Sequence, residues 1–412
     1  MGKINSRYLN QKFVCKVGDN MIGLFSFDGP MYRDKNGVYC NTTITSEMFS
    51  RYFSVVDKLI VVIRTFHLEK TYEEASLKKV ELDGLEFIEI PNLNSIHGFL
   101  FDRSKYKKII FNQVEASDLI FARMPSSISD ITIQIARKMG KHYMVEVGGC
   151  AWDSFWNHGL LGKFIASYMY LNEVIGVRHA SFASYVTEKW LQSRYPCKCP
   201  SISASNVYLM PLKQIVLNNR ISKIMSKNRH NPFVIGTTAA VNVKYKGQEY
   251  IIRAIFELNK KGYNFEYELV GGGDNSYLKW IVKKLDLEEK VRFKGLLLHD
   301  DVFDWLDSID IYAQPSKQEG LPRALIEAMS RGCPAIGSTT AGIPELLDKE
   351  VVFKNGDIEK ICNILMEIVS KDLCEFATRN FNKAKEFELE NLDKKRNIIY
   401  KEYKDYVEKS TL

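Results

Sequence analysis

The stretch from Asp310 to Leu347, DIYAQPSKQEGLPRALIEAMSRGCPAIGSTTAGIPELL, constrains the fold more than any other part of this chain. A short apolar strand (Ile309 to Gln314) runs into a loop that carries Glu319. A helix is expected to open near Leu321 and Pro322, with Glu327 inside it, followed by a small-residue strand from Pro334 to Gly337 and a Gly-Ile-Pro turn at Gly342. Strand, helix and strand in such quick succession is the rhythm of a parallel α/β layer. Pro is comfortable in a first helical turn, where its missing N–H would have been an orphan. The orphan amides and the positive dipole end of such a helix suit a diphosphate. Glu327 lies eight residues after Glu319. At about 1.5 Å of rise per helical residue the two carboxylates stand roughly 10 Å apart, one for each end of a long anionic ligand.

The same alternation extends through all 412 residues, enough for two domains of ordinary size. Candidate strands in the first half are Met21–Phe27, Leu59–Ile63, Phe87–Ile90, Leu119–Ala122, Tyr143–Val147 and Ala183–Val186. The pattern weakens into a basic, polar stretch after Asn206. It resumes with Phe233–Ile235, Phe265–Val270, Val291–Phe293, Ile309–Gln314, Pro334–Gly337 and Val351–Phe353. The expected organisation is a first domain over 1–206, a linker over 207–231 and a second domain over 232–385. Residues 386–412 read as amphipathic helix.

Composition, 45% hydrophobic and 26% charged, is globular. The eight cysteines are scattered, and Cys197 and Cys199 lack the further ligands of a zinc site, so reduced thiols are expected. No apolar run approaches the roughly 18 residues a membrane span needs, and the start shows no signal-peptide apolar region. Gly2 and Ser6 fit a myristoylation pattern built from very common residues. The net charge of +7 is moderate and no nucleic-acid module is present, so anionic lipid or a diphosphate is the expected partner.

The Asp310–Leu347 stretch resembles the E-x7-E signature of the retaining family 4 (group 1) glycosyltransferases, which have the GT-B fold. The match takes in the Pro-Ser, Glu-Gly, Glu-Ala-Met, Gly-x-Pro and Gly-x-Pro-Glu elements. The competing reading is a surface loop and an amphipathic helix with two solvated glutamates. The resemblance implies two Rossmann-like α/β domains facing a cleft, with a terminal helix crossing back to the first. It places Glu319 beside the donor sugar and Glu327 on the nucleotide ribose, with Gly320, Leu321, Pro322 and Arg323 at the donor diphosphate.

Two further stations in the second half match. Ile235-Gly236 and Lys246-Gly247 stand where the family has Gly-Arg and Lys-Gly, with both cations on the diphosphate. Thr237 replaces the Arg, which leaves Lys246, helped by Lys244 or Arg323. Val270-Gly271-Gly272-Gly273-Asp274 resembles the family's Gly-rich turn. As a nicotinamide fingerprint it fails, because Ser276 stands where a third Gly is required and the next strand ends in Phe293-Lys294-Gly295 without an acid. By resemblance, backbone near Phe293 and Lys294 clasps the base. No Asp-x-Asp tripeptide occurs, and cations with a helix N-terminus offer the compensating charge. No metal and no other cofactor is expected.

The first half is less informative. Asp28-Gly29-Pro30 reads as the end of the first strand, leading into a loop in which Gly37 lets backbone approach a phosphate or an acceptor, or simply turns. The family often carries a sugar-contacting His after a strand of this domain. The strand at Val145 to Val147 has none, and His158 comes later, in Ala151-Trp152-Asp153-Ser154-Phe155-Trp156-Asn157-His158. Trp152 offers a face for a sugar ring, and Asp153, Asn157 and His158 offer bonds to hydroxyls. A buried structural cluster is the other reading.

The expected function is a retaining glycosyltransferase, similar to enzymes of bacterial O-antigen, capsule or exopolysaccharide synthesis. It takes a nucleotide diphosphate sugar as donor and, as acceptor, a glycan of the kind carried on polyprenyl diphosphate. Its expected place is cytoplasmic, peripheral on the inner face of the membrane, with weak contact to anionic lipid. The alternatives are a catalytically silent nucleotide-sugar-binding scaffold of the same fold, and a sugar phosphorylase or epimerase.

Overall fold

The computed structural model describes residues 20–93, 98, 103–156, 159–228 and 231–411. The positions of Gly2, Ser6, Asn157 and His158 lie outside them.

Among the described residues the first sheet has nine strands: β1 (Ile22–Arg33), β2 (Tyr39–Asn41), β3 (Lys58–His67), β4 (Lys78–Lys79), β5 (Leu85–Ile90), β6 (Leu119–Met124), β7 (Met144–Val147), β8 (Phe182–Tyr185) and β9 (Ser201–Ser203). Its parallel body runs β5-β3-β1-β6-β7-β8-β9, with β2 and β4 added antiparallel at the far end of β1. The second sheet is wholly parallel and has the order β12-β11-β10-β13-β14-β15. Its strands are β10 (Phe233–Thr238), β11 (Phe265–Val270), β12 (Val291–Gly295), β13 (Ile311–Gln314), β14 (Ala335–Ser338) and β15 (Val352–Phe353). Helices cover both faces, so β6 and β11 are buried along their whole length, as parallel strands require. In each sheet the order reverses beside the first strand, the topological switch point where open α/β sheets bind ligands.

The stretch read as a linker holds the helix Gln214–Ser226, which packs on the second sheet's layer. Its buried Arg220 donates to the carbonyls of Leu306, Ile309 and Arg331. The terminal helix Leu389–Thr411 does cross back to the first domain. Ile399, Tyr400 and Tyr403 join the core under β1, β3 and β6, and the Tyr403 hydroxyl meets the Ile120 amide at 3.0 Å. Two doubly wound domains with this returning helix form the GT-B arrangement that the resemblance implies.

Asp28-Gly29-Pro30 is not a strand end. It is an irregularity inside β1, whose pairing with β3 shifts between Phe27 and Met31 and then continues to Arg33. Gly29 lies against the Phe27 ring, and Gly37 is the left-handed residue (φ +83°) of the Asp34–Gly37 turn joining β1 to β2. Both serve local packing and turning, and neither lines the interdomain cleft.

Candidate active site

A cleft of about 420 Å³ opens between the domains at the carboxyl ends of both sheets. Its second-domain wall consists of Tyr245, Lys246, Gln318, Glu319 and Gly320. Lys246 and Glu319 are 73 residues apart in sequence, and backbone geometry brings them together. Gly247 adopts φ +74°, and a Cβ there would collide with the Pro315 carbonyl, so only glycine lets the Lys244–Lys246 turn lie on the Pro315–Glu319 loop. The Lys317 amide then donates to the Tyr245 carbonyl at 2.7 Å. Lys246 Nζ donates to Glu319 Oε1 at 2.7 Å, with side chains 22% and 12% exposed. Gln314 Nε2 donates to the same oxygen at 3.0 Å.

The helix after this loop is Arg323–Ser330, one residue later than expected, with Pro322 as its N-cap in extended conformation. Pro322 has no N–H, so the free amides at this helix start begin with Arg323 rather than with Leu321 and Pro322. Leu321 is partly buried between the cores of the two domains. Glu327 is buried on the helix, with Arg323 Nη1 3.9 Å from its Oε1. The hydroxyl of Tyr312 is held neutral far above its usual range, by burial first and also by the charges of Glu319 and Glu327. Both carboxylates therefore act electrostatically on one buried hydroxyl inside β13.

Several residues expected at the donor do other work. Gly236 lies within β10, where a Cβ would meet Ile309 Cδ1 at 2.5 Å and the Trp305 ring at 2.7 Å, so it is a packing glycine. Thr237 is buried and bonds the Ala313 carbonyl. Lys244 lies over the Tyr277 ring at 4.3 Å, and Lys294 pairs with Glu268 at 3.3 Å. Gly273 (φ +112°) packs on Asn242, which joins the Gly-rich turn to the loop before Lys246. Phe293 pairs with Leu269 and packs on the second-domain core. Gly273, Phe293 and Lys294 are not among the residues that line the cavity.

The first-domain wall includes Phe27, Arg123, Pro125, Gly148, Gly149 and Asp153. Arg123 is the one charged residue of β6, and Glu146 the one charged residue of neighbouring β7. Arg123 Nη2 and Arg51 Nη2 reach Glu146 Oε2 at 2.9 and 3.1 Å, while Tyr52 and Tyr400 donate to Oε1 at 2.8 and 2.7 Å. Burial alone would push Glu146 up, but the two guanidiniums and the Tyr400 hydroxyl outweigh it and hold the carboxyl at about 2. This network was missed in the sequence, although a lone Arg and a lone Glu in adjacent apolar strands was a usable signal of a buried pair. Asp153 does line the cleft, 4.0 Å from Arg194. Trp152 does not: it stacks on Trp156 (4.8 Å, 18°) and packs against Tyr170 in the core. Among the described residues, no three His, Cys, Asp or Glu side chains gather as a metal set.

Residues 232–371 match the model of the glycosyl transferases group 1 family. Protein CapJ of Staphylococcus aureus is 29% identical over 391 residues, 93% of this chain and 96% of the relative. The amylovoran biosynthesis glycosyltransferase AmsK of Erwinia amylovora is 30% identical over 193 residues, 44% of this chain and 46% of the relative. The Anabaena HepE structure in complex with UDP superposes with a TM-score of 0.61 at 16% identity, over 91% of this chain and 98% of that one. The chain carries a group 1 glycosyltransferase domain on a GT-B fold and is a glycosyltransferase.

Proposed function

We propose that the protein transfers a sugar, with retention, from a nucleotide diphosphate sugar to a lipid-linked glycan in capsule or exopolysaccharide synthesis. The observation that carries this reading is the Lys246–Glu319 pair at the mouth of the cleft, with Glu327 on the helix just beyond. In the proposed mechanism Lys246 leaves Glu319 for the donor diphosphate, and the first amides of Arg323–Ser330 share the leaving-group charge. Preorganised charge of this kind is often the largest catalytic contribution. Glu319 orients the sugar and supports its cationic transition state, and Glu327 holds the ribose. No divalent metal takes part in this scheme. The AmsK name supports the polysaccharide assignment, and the UDP of the HepE complex supports the donor class.

A lipid-linked acceptor is met at a bilayer, and no helix among the described residues is long and apolar enough to cross one. The helix Gly159–Arg178 instead exposes Tyr168, Leu171 and Ile175 along one stripe, bounded by Lys163 and Arg178. Arg103 lies over Tyr168 at 5.8 Å and opens the helix Arg103–Ala116, where Lys105, Lys107 and Lys108 are exposed. This face suits weak, salt-sensitive contact with anionic lipid.

Thermal melting against UDP-glucose, UDP-N-acetylglucosamine and GDP-mannose tests the donor class. At 100 times Kd the right sugar adds about 2.7 kcal/mol. Transfer from that donor should then survive EDTA. No stabilisation by any nucleotide sugar sinks the reading, and loss of activity in EDTA with recovery in Mg²⁺ or Mn²⁺ sinks its metal-free form.

A further inference from the structure

The last residue of β13 is a glutamine, buried to 2% exposure at the end of an otherwise apolar strand. A buried primary amide leaves a costly vacancy unless both N–H groups and the carbonyl are satisfied. Here Gln314 Oε1 accepts from the Tyr312 hydroxyl at 3.0 Å, and Nε2 donates to Ser316 Oγ and to Glu319 Oε1, each at 3.0 Å. The orientation of the amide follows from its neighbours. A carboxylate only accepts, so it must face the NH2 group. The Tyr312 oxygen already accepts from the Thr238 amide at 3.4 Å, which leaves its proton for the Gln314 carbonyl. Ser316 is fixed in turn by Ser338 Oγ, which donates to its carbonyl at 2.6 Å. A continuous chain therefore runs from the end of β10 through Tyr312 and Gln314 to Glu319.

We infer that Gln314 is the positioning residue that holds the Glu319 carboxylate in its working orientation when Lys246 turns away to a donor diphosphate. The inference rests on the reading of Glu319 and Lys246 given above. One oxygen of the Glu319 carboxylate takes both the ammonium of Lys246 and the amide of Gln314. Once the ammonium moves to phosphate, the amide keeps its bond. Gln314 is buried at the end of a central strand and held at three points, whereas Lys246 sits on a flexible stem. Lys246 pairs with Glu319, and Tyr312 and Glu327 lie on its own side of the cleft. Tyr245, Arg123, Cys150 and Asp153 line the same cavity, and Gln314 is the neutral group bonded to Glu319.

The test compares Gln314→Leu, Gln314→Glu and Glu319→Gln with the parent in steady-state release of nucleotide diphosphate. The donor is whichever of UDP-glucose, UDP-N-acetylglucosamine and GDP-mannose most stabilises the parent. Gln314→Leu should lower kcat about 10- to 100-fold, the usual cost of removing the group that orients a reacting one, with donor KM within about twofold. Gln314→Glu sets a second carboxylate against Glu319. The acid limb of its kcat–pH profile should move up by about one pH unit or more, because two adjacent carboxylates cannot both ionise freely. Gln314→Leu adds no charge, so a fall in its kcat without a fall in melting temperature is what a purely structural glutamine would not give. If Glu319→Gln is inactive while both Gln314 variants keep kcat within about twofold, the inference falls alone. It also falls if the Gln314 losses track melting temperature and the acid limb stays in place. If Glu319→Gln keeps full kcat, the reading of Glu319 fails and takes this inference with it.

Discussion

On the second-domain wall of the cleft, Lys246 and Glu319 meet because two short loops fit together through Gly247 and the Lys317–Tyr245 backbone bond. On the first-domain wall, Arg123 is held by Glu146, which also takes Arg51 from the helical segment before β3 and Tyr400 from a helix 254 residues further on. One wall is assembled within contiguous segments at the ends of parallel strands. The other depends on charges collected from across the chain and sealed by the terminal helix. A site of the first kind keeps its chemistry near solvent and free to rearrange. A network of the second kind is buried, paired and expensive to disturb. The second-domain wall is therefore expected to govern turnover, and the first-domain wall the stability of the cleft that turnover needs.

The largest effect that could break this contrast is kinetic. Glu319→Gln should lower kcat by roughly two to three orders of magnitude, the scale of losing one preorganised charge at the reacting group, with nucleotide affinity nearly intact. Glu327→Ala should instead weaken donor binding by about 1.5–3 kcal/mol, as for a charged hydrogen bond. Calorimetric titration with nucleotide, alongside turnover, separates the two. Equal and modest effects from both substitutions would show that the wall has no division of labour.

The next effect belongs to the first-domain wall. Glu146→Ala leaves Arg51 and Arg123 buried with no carboxylate between them, and should cost about 3–5 kcal/mol in urea unfolding. The loss should appear with no change in the pH dependence of kcat. A variant as stable as the parent would mean that water already compensates those guanidiniums, and the contrast between the walls would be lost.

This contrast also explains what could be read in advance. All six strands of the second sheet were legible, as were Glu319, Lys246 and the Lys246–Gly247 pair, because each lies in a short segment with its own local pattern. The same locality misled at Gly236, where a glycine at the expected position packs under Trp305, and at Pro322, which caps the helix instead of entering it. In the first domain six strands were placed approximately, but the irregularity at Gly29, the turn at Gly37 and the core position of Trp152 depend on partners distant in sequence. Arg123 lines the cleft in a position fixed by Glu146 and by partners in other elements, and no local pattern names those partners. Gln314 was visible as a polar residue ending an apolar strand, but its bond to Glu319 needed the loop to be folded first.

A smaller test sharpens the corrected role of Gly236. A Cβ there would press on the Trp305 ring at 2.7 Å, and Trp305 is itself fixed by its Nε1 bond to Glu268 at 2.8 Å. Gly236→Ala should cost about 1–3 kcal/mol by overpacking. Donor KM and kcat should stay within about twofold of the parent wherever the variant remains folded. A change in donor KM without loss of stability would return Gly236 to the binding site.

The smallest expected effect returns to the first domain, where Glu173 is fully buried and takes no part in the cleft. Its Oε2 accepts from the Ala151 amide at 2.9 Å, while Oε1 has no hydrogen-bond partner. Burial, reinforced by the charge of Asp130, raises its pKa to about 8 from an ordinary 4.5. The folded protein therefore binds this proton more tightly than the unfolded chain does. Its contribution is fully present below about pH 4.5 and is lost as pH rises through about 8. Between about pH 7 and pH 9 the loss is about 1 kcal/mol, since each tenfold difference in proton affinity is worth about 1.4 kcal/mol. Unfolding in urea at about pH 7, 8 and 9 should show stability falling with pH, and Glu173→Gln, which is neutral throughout, should remove much of that slope. Asp130, also raised to about 7 by burial, should keep a residual slope at the lower end of the same range. Identical slopes in parent and variant would mean that Glu173 is ionised and solvated in the folded state. The first domain would then hold its charges near solvent, as the second-domain wall does.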